Sequence, residues 1–140
     1  MCRRGFGTNA LRWIALLGLC SAYLQGGIIK AIDYAGAVAE MHHFGLAPAG
    51  PLVIVTILVE LAAPALILSG VYRWLGAIVL AGFTVTATML ANRFWEAGAS
   101  DRLALANAFF EHLGLAGGFL LVAWYDLMHD ASRHDLQRAL

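Results

Sequence analysis

Charge is scarce in this chain. Nine basic and nine acidic residues make up 13% of 140 positions, about half the share expected of a soluble domain of this size. Net charge is zero and the basic residues form no patch or stripe, which argues against nucleic acid as a partner. Cysteine is nearly absent too. Cys2 sits in a polar N-terminal tail and Cys20 inside an apolar run, and no C-x-x-C pair exists, so a thiol–disulfide relay is disfavoured. Cys20 reads as a small core residue. There is also no Gly-rich phosphate loop, no Ser–His–Asp set and no histidine pair at a depth that suits a haem.

What the chain has is apolar length. It is 61% hydrophobic, with a mean hydropathy of +0.74. The stretch that organises the rest is GPLVIVTILVELAAPALILSG, residues 50–70. A hydrocarbon core of ~30 Å needs about 20 mostly apolar residues in a helix. Glu60 lies ~14 Å along the axis from Pro51 at 1.5 Å per residue, close to the midplane. A carboxylate at that depth costs roughly 2.5–3.5 kcal/mol on insertion scales and is expected to face a bundle interior or a wet cavity. Two readings stand: a protonated Glu that glues helices together, or a group that handles a proton or ligand. Pro64 follows one turn later and frees the carbonyl of residue 60.

Three further runs complete a four-span pattern: about 11–32, 74–91 and 106–125, with a polar, amphipathic, mostly solvated tail at 126–140. Span one carries Gly18, Ser21, Gln25, Gly26 and Gly27 as a small-residue seam, with Lys30 near its exit. Arg3, Arg4 and Arg12 ahead of WIALLGLCSAYL look like a signal peptide. No small-x-small site follows, and Leu19 stands where a lipobox needs a small residue, so the segment is expected to be retained. Residues 33–49 are too polar to span and predict a short amphipathic helix along the interface, ended by Gly45 and Pro48. His42 and His43 lie ~100° apart on such a helix, poor geometry for sharing a metal, and no metal is expected. Span three presents Ala77, Ala81, Thr84, Thr88 and Ala91 on one stripe, then Phe94 and Trp95 of the interfacial-belt kind. Span four aligns Asn107, Glu111, Gly114 and Gly118 into a polar-then-small face, and its G-x-x-x-G leaves a homo-oligomer open. In the tail, His129 and His134 fall on different faces and read as surface residues.

Four spans put both termini on one side. With the termini inside, Arg3, Arg4, Arg12, Arg73, Arg133 and Arg138 are cytoplasmic, while Lys30, Arg93 and Arg102 are outside. The positive-inside rule favours that orientation. Lys30, Arg93, Asn107, Glu111 and His112 then lie in the outer half, with Glu60 at mid-depth. Taken singly, Lys30 and Arg93 fit snorkelling at helix ends. Taken together with Gln25, these groups can pair and wall an outward-facing polar pocket.

The order and spacing of five features resemble the DoxX family of small membrane proteins. They are Gly27-Ile28-Ile29-Lys30, Phe44-Gly45-Leu46-Ala47-Pro48, Glu60 followed by Gly70 and Arg73, Phe94-Trp95, and Gly117-Gly118, spread from about Leu11 to Tyr125. The resemblance implies an all-α, inner-membrane four-helix bundle, often an accessory subunit of a redox system, with quinone-linked sulfur oxidation among the examples. It marks Lys30, Glu60 and Arg73 as family positions without implying catalysis. Glu111-His112 replaces the Lys-Asn of many relatives, and Asn92-Arg93 stands where relatives often have a His, so ligand identity does not carry over. The expected function is a redox-accessory subunit without catalysis of its own, set in the lipid bilayer, with a membrane or periplasmic protein partner and a quinone as the candidate ligand. A scaffold or biogenesis factor for a larger enzyme is the alternative. A small transporter comes third, since four spans leave little room for alternating access.

Overall fold

The computed structural model describes residues 4–138, with side chains described for 9–129. The described residues are all-helical: α1 (Arg4–Ile32), α2 (Tyr34–His43), α3 (Ala49–Ser69), α4 (Arg73–Ala91) and α5 (Arg102–Arg138). Four segments, Asn9–Ile32, Ala49–Ser69, Arg73–Ala91 and Arg102–His129, are long and apolar enough to cross a membrane. The short α2 lies between the first and second, where the sequence predicts a helix too polar to span. Two boundaries differ from the reading above. α1 begins at Arg4, about two turns before the apolar run. α5 starts at Arg102 and continues past Asp126, so the polar tail extends the span as helix up to Arg138. Arg3, His134 and the termini lie outside the described residues or side chains.

The chain divides into two compact units, Met1–Val71 and Tyr72–Leu140. In the first, α1 packs along α3, and α2 rests chiefly on α3. α1 buries Leu16, Cys20, Tyr23 and Gly27, at spacings of four, three and four, which is one face of a helix. α3 answers with Val53, Glu60, Ala63, Pro64 and Ile67. The seam expected on span one is thus only partly used: Gly27 is buried and Gly26 half-buried, while Gly18, Ser21 and Gln25 are exposed.

One residue separates α1 from α2. Asp33 donates its backbone N–H to the Ile29 carbonyl, and its carboxylate accepts from Gly36 N at 2.9 Å, capping α2. A Cβ at Gly36 would collide with that carboxylate, which accounts for glycine there. At the other end, Gly45 takes a left-handed φ of 69°. Its N–H donates to the His42 carbonyl and that of Leu46 to the Met41 carbonyl, the paired bonds of a Schellman motif. The predicted stop at Gly45 is therefore the observed one. Tyr34 then ties α2 to the start of α3 by donating its hydroxyl to the Gly50 carbonyl at 3.1 Å.

The second unit is an α4–α5 pair. α4 buries Gly76, Ala77, Leu80, Ala81, Thr84 and Thr88, so the small-residue stripe is there as far as Thr88; Ala91 is exposed at the helix end. Thr84 donates back to the Leu80 carbonyl, which offsets the cost of burying its hydroxyl, and the Thr88 oxygen accepts from the Asn92 amide at 3.0 Å. α5 packs by a different face from the polar-then-small one read in the sequence. Asn107, Glu111 and Gly114 are exposed and Gly118 half-buried, while Phe109, Ala116, Phe119 and Ala123 are the buried positions. Large and small residues alternate along that seam, so two benzyl groups fill what a glycine face would leave empty. A Cβ on Gly114 or Gly117 would meet nothing within 4 Å.

The cytoplasm-side expectation for Arg73 acquires a partner within this unit. Asp126 of α5 accepts from the backbone N–H of Trp74 at 3.1 Å and from Arg73 Nη1 at 3.4 Å. Tyr72 precedes α4 in a left-handed conformation (φ 52°) and offers no side-chain cap. The cap comes from the neighbouring helix instead. At the opposite end, Phe94 packs its ring near Trp95, Phe109 and Phe110, with centroids 5.1, 5.4 and 6.1 Å away, pinning the 92–101 loop to the start of α5.

Candidate functional site

The residues that carry the site are Lys30 and Glu60. Glu60 sits near the middle of α3, eleven residues after Ala49 and nine before Ser69, on the face turned to α1. Lys30 is two residues from the end of α1. A helical side chain leans toward its own N-terminus. Lys30 therefore reaches back into the span, and its ammonium comes to lie beside Gly26, one turn earlier. Both carboxylate oxygens of Glu60 accept from Nζ at 3.1 Å. Snorkelling toward the nearest helix end does not describe Lys30, because its charge is directed inward to a partner.

Two glycines make this approach feasible. A Cβ on Gly27 would sit 2.8 Å from Leu61 Cδ2 and 3.1 Å from Glu60 Cβ, closer than side-chain carbons pack. A Cβ on Gly26 would lie 3.2 and 3.4 Å from the two carboxylate oxygens and 3.4 Å from Nζ. The backbone of α1 thus forms one wall of the pair. The side chains are 20% exposed for Lys30 and 8% for Glu60, so access is from the lysine side.

The other sequence-selected groups are placed as follows. Gln25 is exposed on α1, one residue before the glycine pair. Arg93, Asn107, Glu111 and His112 belong to the second unit. Arg93 pairs with Glu96 at 3.3 Å, both side chains about half exposed, and its Nε donates to the Met89 carbonyl. Asn107 and Glu111 are exposed. His112 is half-buried, with Nδ1 2.6 Å from the Ala108 carbonyl; that oxygen can only accept, so Nδ1 carries the hydrogen and Nε2 is the open nitrogen. Among the described residues, no three His, Cys, Asp or Glu side chains are grouped to hold a metal ion.

Sequence reasoning named both partners of the pair. It missed Asp126, although an aspartate at the far end of span four and an arginine at the near end of span three are at one level in an antiparallel pair.

The DoxX family model matches residues 11–93. The chain belongs to the DoxX family. The match takes in Gly27 to Lys30, Phe44 to Pro48, Glu60, Gly70 and Arg73, and stops just before Phe94. Phe94-Trp95 and Gly117-Gly118 lie beyond it, so the coverage is shorter than the stretch to Tyr125 read from the sequence. No curated protein and no solved structure matches this chain. As a DoxX protein with four long apolar helices it is a multi-pass membrane protein, and the lipid bilayer is its surroundings.

Proposed function

We propose that this DoxX protein is an inner-membrane accessory subunit of a redox system, with both termini cytoplasmic, and that the Lys30–Glu60 pair is its ligand- and proton-handling centre. The observation that carries the reading is the pair itself: two ionisable groups drawn together within apolar spans, against two glycines that give up side-chain packing to admit them. Burying ions this way is seldom the cheapest means of joining helices, since a well-packed apolar contact is often as stable or more so. A group that must exchange a proton supplies a reason to keep them. In this reading a quinone head group enters an outward-facing polar pocket from the lysine side. Glu60 takes or releases the proton, and Lys30 stabilises negative charge on the head-group oxygen. Gln25 flanks the glycine pair, and Arg93, Asn107, Glu111 and His112 are the second unit's candidates for contact with a membrane or periplasmic electron-transfer partner.

Two measurements test it. Purified protein should bind a short-chain quinone, and Glu60→Gln should lower quinone-linked electron transfer in the host membrane. No binding, together with unchanged electron transfer in Glu60→Gln, rejects the proposal in favour of a scaffold. Alkaline phosphatase fused at either terminus should be inactive if the orientation is right.

A further inference from the structure

The ion pair leaves hydrogen-bonding capacity on both partners. An ammonium has three N–H donors, and Lys30 directs one to each carboxylate oxygen. A carboxylate offers about four lone-pair sites, and among the described residues Glu60 accepts from Lys30 alone. One donor and some acceptor capacity therefore remain, side by side. Gly26 sets no side chain over them, and Lys30 keeps a fifth of its side-chain exposure.

Charge narrows what can use them. Lys30 and Glu60 carry opposite charges, so the pair has no net charge to offer an ion. An entering anion must compete with Glu60 for Lys30 and lose its hydration in apolar surroundings. An entering cation must compete with Lys30 for Glu60 and lose its hydration in apolar surroundings. A neutral group has neither cost.

We propose that the Lys30–Glu60 pair is an amphiprotic site selective for an uncharged, hydroxyl-bearing head group. One hydroxyl oxygen donates its hydrogen to Glu60 and accepts the third N–H of Lys30. An ether or a carbonyl oxygen can do only the second. The inference rests on the function proposed above and adds the form that is bound: the reduced diol of a ring compound, in preference to the dione or an alkylated diol. Binding itself moves no electron and breaks no bond.

The test uses the full chain in lipid nanodiscs and three probes: decylhydroquinone held reduced by ascorbate, its dimethyl ether, and decanoate. A hydrogen bond to a charged group predicts that the ether binds about tenfold to a hundredfold more weakly than the diol. Decanoate should fail to displace the diol. Glu60→Met should erase the preference for the diol, because Glu60 is the group that accepts the hydroxyl's hydrogen. Equal binding of diol and ether overturns this inference and leaves the proposed function standing. Displacement by decanoate, or an undiminished preference in Glu60→Met, overturns it as well. If neither the diol nor the parent quinone binds, both proposals fall. The probe series is read on the unaltered protein, so an unstable variant does not obscure the answer.

Discussion

At the scale of single residues, Glu60 and Lys30 are costly apart and tolerable together. Lys30→Met strands a carboxylate in an apolar seam. For a fully buried pair such a loss is about 3–5 kcal/mol, and the partial exposure of Lys30 places it nearer about 2–3 kcal/mol. The double substitution Lys30→Met with Glu60→Met should recover most of it, because no unpaired charge remains. Unfolding in mixed detergent micelles measures both; a single variant as stable as the parent would show that the pair contributes nothing. Gly27→Ala pushes a methyl group against Leu61 and should cost about 1–3 kcal/mol by overpacking. Gly114→Ala adds its methyl to open space and should stay within about 0.5 kcal/mol of the parent. The reverse ranking would mean that the packed faces have been misassigned.

Among the helices, Asp126 is the decisive outsider. The N-terminus of α4 has no cap of its own, and a carboxylate from α5 fills the role. Asp126→Ala should destabilise the α4–α5 pair by about 1–2 kcal/mol, the usual worth of a cap. Hydrogen exchange should localise the change to the amide of Trp74; unaltered protection there would refute the assignment. The helices themselves were legible from hydropathy, because the bilayer sets a length that apolar runs must meet. The α2 stop was legible too, since Gly45 is the residue a left-handed cap requires. The face by which α5 packs on α4 was not. A span that is apolar all round carries little rotational information, and small residues attract attention whether or not a neighbour uses them. Phe109, Ala116, Phe119 and Ala123 were equally available as a seam, and the larger buried area lies with the phenylalanines. For the same reason the sequence could name Glu60 and Lys30 as unusual without choosing which cation meets which acid.

For the chain as a whole, the arrangement that matters is Asp33 standing alone between two helices. A single non-helical residue has two soft dihedrals, so α2 has almost no freedom to lag behind α1. If α1 turned about its long axis by some tens of degrees, α2 would swing like a crank, and its Tyr34 tether to Gly50 would be strained or broken. Lengthening the joint with two glycines after Asp33 should slacken that linkage. The expected outcome is faster hydrogen exchange throughout α2, with the Lys30–Glu60 contact undisturbed. Equal protection in the lengthened chain would mean that α2 is held by α3 alone. Faster exchange would mean instead that occupancy beside Lys30 is felt at α2 as torque delivered through one aspartate.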